Sequence, residues 1–254
     1  THVDGTVDPV RDFETIDVEL RLADLKSIDK RIDKLGKKKK QSPKEGLHEE
    51  AILLKIKDLL SSDTRLNYNL FEEDDYPFLK QLQLLSFKKM LVIANVGEDD
   101  LLDLDNQQHF NQLKTYLKPF DIEVVPVSAQ LEAELAVLED DEKKELLNSY
   151  GLHQSGLETV IEKSYQLLGL QTFFTAGEPE VRAWTFKKGM KAPQCAGIIH
   201  SDFEKGFIRC ETLSFDDFLT YQSISRAKEA GKYRLEGKMY EMNDGDIVHF
   251  RFNV

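Results

Sequence analysis

Apolar residues fall into two different rhythms along this chain. Over residues 11–36, Ile16, Leu20 and Ala23, then Ile28, Ile32 and Leu35, recur at steps of four and three with charges between them. That period predicts an amphipathic helix with one apolar seam. Lys37 to Lys40 followed by Ser42-Pro43 is read as the break that ends it. A second helix is expected over 44–60, with Leu47, Ala51 and Leu54 on its apolar stripe. Two helices with so short a link form an antiparallel pair. Asp63 to Pro77 is acidic and turn-rich and reads as a return linker.

The rhythm changes at 78. Met90 to Val96 is a continuous apolar run of strand length, and Ile122 to Val127 is a second. Between them Phe110, Leu113 and Leu117 mark one face of a helix over 105–118, and another helix is expected over 155–168. Strand and helix in alternation predict a parallel α/β sheet. Ligands of such sheets sit beyond the carboxyl ends of the strands. Those ends are Asn95-Val96-Gly97-Glu98 and Ser128-Ala129-Gln130.

The last 85 residues differ again. Strands are expected at 181–186, 207–213, 240–242 and 247–252, with a short helix over 192–200 and a turn at Asn243-Asp244-Gly245-Asp246. This is a small mixed sheet with a helix. Charge supports a boundary near 170. The chain carries a net −12, all of it in residues 1–169, while 170–254 balance to zero. Gly169 and Gly177-Glu178-Pro179 lie at the shift.

Composition excludes several classes. With 41% hydrophobic and 31% charged residues the chain is that of a globular protein. No apolar run reaches the ~18 residues of a membrane helix, and no signal peptide opens the sequence. Two cysteines, Cys195 and Cys210, make no disulfide scaffold and suit a reducing cytosol. The overall acidity argues against a protein that coats nucleic acid by charge alone. The Lys37–Lys40 run is either a solvated loop or a contact to a nucleic-acid backbone.

Motifs narrow the chemistry. A phosphate loop needs G-x-x-x-x-G-K-[ST], whose backbone N–H groups cradle phosphates. No such string occurs: Gly231-Lys232 is followed by Tyr233, and Arg226 stands where the first glycine belongs. Asp33-x-x-Gly36 lies in the charged helix and is discarded as chance. Asn95-x-x-Glu98 is more informative, because it directly follows a buried strand and ends in a carboxylate that accepts hydrogen bonds from base donors. An Asn–Glu turn that merely caps the next helix fits the same four residues. Ser128-Ala129 after the next strand adds weight to a base contact, although a helix cap explains it too. His200, Asp202 and Lys205 are dense in chemistry, yet no third group completes a catalytic set, so recognition or a turn is favoured. The six histidines form no metal-ligand spacing with cysteine. Trp184 is assigned to the core or a groove wall rather than a stacking platform.

Longer strings carry a resemblance. His2-Val3-Asp4-Gly5 with Val7-Asp8-Pro9-Val10-Arg11-Asp12, Glu19-Leu20 with Leu22-Ala23-Asp24-Leu25, and Asn95-x-x-Glu98 resemble the YchF / Obg-like ATPase family of P-loop proteins. So do Phe173 to Gly177, Val181 to Thr185, Ala192-Pro193-Gln194, His200 to Ile208, Ala230 to Arg234 and Asp244 to Ile247.

The resemblance implies a multidomain α/β plus α+β protein. It comprises a partial P-loop NTPase α/β sheet over 1–10 and 78–168, an inserted antiparallel helical pair over 11–77, and a C-terminal ubiquitin-like (β-grasp) TGS domain over 169–254. It implies ATP as substrate in preference to GTP, slow hydrolysis, Mg²⁺ dependence and association with the ribosome or ribosomal RNA. A cytoplasmic monomer with no membrane partner is expected. Asn95, Val96 and Glu98, with Ser128, Ala129 and Gln130, are the expected nucleotide-binding residues, the Val96 carbonyl accepting from adenine N6. The phosphate loop and magnesium ligands of relatives lie before the position of Thr1. The chain by itself is therefore expected not to hydrolyse ATP. The alternative is a translation-associated adaptor that docks through its helical and C-terminal parts, with Arg182, Lys187, Lys188, Lys191, Lys205 and Arg209 as basic points.

Overall fold

A computed structural model describes residues 6–62, 64–177 and 180–253, without the Lys37 side chain. His2-Val3-Asp4-Gly5 and Glu178-Pro179, used above, lie outside the described residues, as does Asp63 at the head of the expected linker. The chain forms two compact units, Thr1–Leu157 and Glu158–Val254.

The first unit opens with α1 (Pro9–Gln41) and α2 (Pro43–Ser61). Asp8 caps α1, its carboxylate accepting from Arg11 N at 3.1 Å. The helix does not end at Gly36 but runs through the lysines to Gln41. Lysine is a good helix former, and cations near a helix C-terminus favour the dipole. Two of these lysines are also held across the pair: Lys38 Nζ lies 2.5 Å from Glu49 Oε1, and Lys39 pairs with Glu50. Lys57 meets Asp29 at 2.6 Å, which fixes the antiparallel register.

The buried stripe of α2 also differs from the expected one. Leu47 and Leu54 are exposed, and Ile52, Leu53, Ile56 and Leu60 are buried with Ile28 and Leu35 of α1. Gly46 selects this face. A Cβ there would lie 2.9 Å from Lys39 Cα, so the helices approach closely along the Gly46 side. On α1 the amino-terminal half of the expected seam is solvated, with Ile16 exposed, and Asp24 takes an interior position instead.

Short 3₁₀ turns and α3 (Tyr76–Leu82) fill the expected linker and bury Leu66, Phe71, Leu79 and Leu82 against the helical pair. The parallel strands then follow as expected: β1 (Leu91–Asn95) and β2 (Glu123–Val127), paired in register from Leu91 opposite Glu123 to Asn95 opposite Val127. Between them lie α4 (Glu98–Leu101) and α5 (Gln108–Leu117). The face Phe110, Leu113 and Leu117 is buried, as its spacing predicts, against Ile122 and Val124. After β2 come α6 (Ala129–Leu135), α7 (Asp140–Ser149) and α8 (Gly156–Leu168), the last crossing into the second unit.

The second unit holds a five-stranded sheet in the order β4 (Val181–Lys187), β3 (Leu170–Ala176), β7 (Asp246–Phe252), β5 (Phe207–Ser214), β6 (Arg234–Glu236). Within this sheet, among the described residues, only the β3–β7 pair is parallel. Its core joins Phe173, Phe186, Phe207, Cys210, Val248 and Phe250 to Cys195 and Ala196 of α9 (Ala192–Ile199). Three short helices complete it: α10 (Ser201–Lys205), α11 (Phe215–Tyr221) and α12 (Ile224–Glu229). The expected strand 240–242 is a single bridge, Lys191 opposite Glu241. Among the described residues no helix is long and apolar enough to cross a membrane.

Candidate functional site

The continuous apolar run of β1 and the shorter one of β2 pair side by side, so both carboxyl ends finish at one place. Val96 N donates to Val127 O at 2.9 Å, and Ala129 N donates to Asn95 Oδ1 at 3.1 Å. The two tips are thus tied to each other through main chain and side chain.

Each expected residue has a definite state there. Asn95 and Ala129 are exposed, and Val96 is half-buried. With Oδ1 accepting from Ala129, the Nδ2 end of Asn95 is the part left to donate, and a purine N7 is an acceptor of that kind. The Val96 N–H is committed to Val127, so a ligand contact from the Val96 main chain falls to its carbonyl. Ser128 is buried and caps α6, its hydroxyl accepting from Leu131 N at 3.4 Å. The helix-cap reading is therefore realised for Ser128. Gln130 lies exposed on the first turn of α6 and makes no side-chain hydrogen bond among the described residues.

Glu98 heads α4 after Gly97, whose N–H donates to Asp100 Oδ2 at 3.0 Å. The two Glu98 oxygens differ. Oε2 accepts from the Tyr150 hydroxyl at 2.9 Å, whereas Oε1 is buried with no hydrogen-bond partner among the described residues. An unsatisfied buried acceptor is costly, and a ligand donor is one way to relieve it. The Tyr150 phenol is held above its ordinary range, chiefly by the hydrogen bond to Glu98 and then by burial. Nothing in the spacing of the sequence singles out Tyr150, which lies 52 residues from Glu98.

A carboxylate, a peptide carbonyl and a side-chain amide thus lie at one strand end, a set that can both accept and donate hydrogen bonds. The donor set does not match a metal ion. Among the described residues no three His, Cys, Asp or Glu side chains could hold one, so no residue described here is assigned to Mg²⁺.

Other candidates resolve into local structure. His200 caps α10, its Nδ1 accepting from Asp202 N at 3.2 Å, and Lys205 pairs with Asp202 at 3.6 Å. Trp184 stacks on Phe173 at 6.4 Å between ring centroids and donates Nε1–H to Thr175 at 2.9 Å, with Arg182 over its ring. Cys195 and Cys210 are fully buried free thiols, each pushed up to about 12 by burial and thus unreactive. Of the basic points, Arg182 lies near Glu180, Arg209 near Glu211 and Lys205 near Asp202. Lys187, Lys188 and Lys191 form no ion pair among the described residues.

Two parallel strands with tied tips in one unit and a mixed five-stranded sheet in the other define an α/β protein. The chain belongs to the YchF family. It is 50% identical over 254 residues to "Ribosome-binding ATPase YchF" of Bacillus subtilis (strain 168), spanning all of this chain and 69% of the relative. It is 45% identical over 253 residues to the protein of that name from Haemophilus ducreyi, with the same coverage. The family model YchF-GTPase_C, described as "Protein of unknown function (DUF933)", matches residues 170–253. The solved structure of the Schizosaccharomyces pombe YchF GTPase superposes with a TM-score of 0.84 at 31% identity, covering 99% of this chain and 68% of that one.

Proposed function

We propose that the intact protein binds and hydrolyses ATP, in preference to GTP, and that Asn95, Val96, Glu98, Ser128, Ala129 and Gln130 form the base end of its nucleotide site. The observation that carries this reading is the pair of tied strand tips beside the unpartnered Glu98 Oε1. Adenine presents a donor at N6, which the Val96 carbonyl accepts; guanine presents an oxygen at that position, which the same carbonyl repels. Glu98 accepts the second N6 hydrogen and Asn95 donates to N7. Residues 1–10 and 78–168 are then part of a P-loop nucleotide domain, 11–77 a helical insertion and 169–254 a TGS domain. Phosphate and Mg²⁺ contacts fall to parts of the relatives that this chain does not span, so the 254-residue chain alone is inactive as an ATPase. Mg²⁺ would supply neutralisation of phosphate charge during phosphoryl transfer.

Titration of the gene's full-length product with ATP tests the site. Glu98→Ala and Asn95→Ala are each expected to weaken ATP binding about tenfold or more, the scale of a lost charge-assisted or bidentate contact. Unchanged affinity in both variants removes the assignment.

The relatives' name also supports a ribosomal partner. Lys187, Lys188 and Lys191, without ion pairs among the described residues, favour contact with RNA phosphates as a second reading, in which the chain acts as a docking module. Cosedimentation with ribosomes should then fall steeply with salt. A complex that resists salt, or none at any salt, speaks against RNA contact.

A further inference from the structure

We propose that Tyr150 is a positioning residue for this site: it locks the Glu98 carboxylate through Oε2 and leaves Oε1, buried in the free protein, as the oxygen without a partner for a base donor. The inference rests on the reading of residues 95–98 and 128–130 as the base end.

The geometry behind it has three parts. Tyr150 Oη donates to Glu98 Oε2 at 2.9 Å, which satisfies one oxygen and leaves the other. The ring is anchored independently of the acid. It packs on a cluster of Leu131 and Leu135 of α6 and Leu147 of α7, against which Leu101 of α4 also packs. Those same helices carry the site, because α4 begins at Glu98 and α6 begins directly after Ser128. One apolar cluster therefore sets the distance between the phenol, the carboxylate and the α6 tip.

The chemistry follows from the freedom of a glutamate. An unrestrained Glu side chain has several rotamers and loses that freedom on binding a ligand. A phenol on a fixed ring removes most of it beforehand, and pre-organisation of this kind raises affinity without adding a ligand contact. The cost is one oxygen held without a partner in the free protein, a form of strain that sites commonly retain. Tyr150 itself touches no part of the base in this account, so it acts only through Glu98.

The test is a double-mutant cycle in the full-length gene product, read by ATP titration and thermal melting. Tyr150→Phe removes one oxygen and keeps the ring in its cluster, so the melting temperature should change little. ATP affinity should fall about five- to tenfold, the scale of one hydrogen bond to a charged group. In a Glu98→Ala background the same change should cost nothing further, which is the signature of coupling. A structural role alone predicts the same loss in both backgrounds, and that result overturns the proposal. If Glu98→Ala weakens binding while Tyr150→Phe does not, the Tyr150 inference falls and the base site stands. If Glu98→Ala leaves ATP affinity unchanged, the base site itself falls and takes this inference with it. All titrations are run well below the melting temperature of every variant, and Glu98→Gln supplies a second cycle. It keeps an acceptor for the phenol, so Tyr150→Phe must still weaken ATP binding in that background, and no effect there counts against the proposal.

Discussion

Gly206→Ala is expected to lower the melting temperature of the second unit by about 10–20 °C, since a domain of this size shifts by about 4–8 °C per kcal/mol. Gly206 follows α10 with φ −88°, a conformation any residue adopts, so the penalty is steric. A Cβ there would lie 2.0 Å from Asn253 O, 2.9 Å from Asn253 C and 3.2 Å from Asn253 N. All three are backbone atoms, and no rotamer change relieves them. The Asn253 N–H donates back to Gly206 O at 2.9 Å, and Phe207 pairs with Phe252 next to it. Phe203 also stacks on Phe252, 3.7 Å between centroids. Relief therefore peels the end of β7 from β5, at a cost of about 2–3 kcal/mol for overpacking and a lost backbone hydrogen bond. Gly237 has no atom within 4 Å of its Cβ position, and Gly237→Ala should melt close to the parent. Calorimetry separates the two; equal melting temperatures contradict the account.

Asp24→Ala should destabilise the first unit by about 2–4 kcal/mol, because it strands two part-buried donors. Asp24 is 3% exposed on α1. Its Oδ1 accepts from Leu85 N at 2.9 Å and its Oδ2 from Ser86 N at 2.7 Å. These are the first N–H groups of a 3₁₀ turn, Leu85–Phe87, which has no internal partner for them. The turn leads into β1, so the carboxylate ties the helical pair to the segment that carries the site. Asp24→Asn keeps one acceptor and should recover part of the loss. A lower urea midpoint with faster amide exchange at Leu85 and Ser86 is the expected result. Unchanged exchange at both amides contradicts it.

The parts of this fold that declared themselves in the sequence are those whose packing follows a single periodic face. Phe110, Leu113 and Leu117 have one apolar side and it is buried. β1 and β2 read from uninterrupted apolar runs, and their pairing brings Asn95 beside Val127. Where two faces compete, pattern reading chose the wrong one. α2 carries Leu47 and Leu54 on one side and Leu53, Ile56 and Leu60 on another, and close approach at Gly46 decides between them. The lysine run read as a break because it holds no apolar residue, yet Glu49 and Glu50 from the partner helix hold it in register. β3 was hidden because its seven residues, Leu170 to Ala176, alternate only weakly, with Phe173 alone fully buried. α7 has a single buried residue, Leu147, in a charged stretch. The pairing of the two strand ends was legible and the Tyr150 contact was not, since a contact across 52 residues leaves no local trace.

The central claim is that the tips at residues 95–98 and 128–130 face a purine. Photolabelling the full-length gene product with 8-azido-ATP, followed by peptide mapping, addresses it most directly. The account predicts label in peptides carrying Asn95 to Glu98 or Ser128 to Gln130, removed by excess ATP. ATP-protected label found only in other peptides, with both strand tips unmodified, would contradict it.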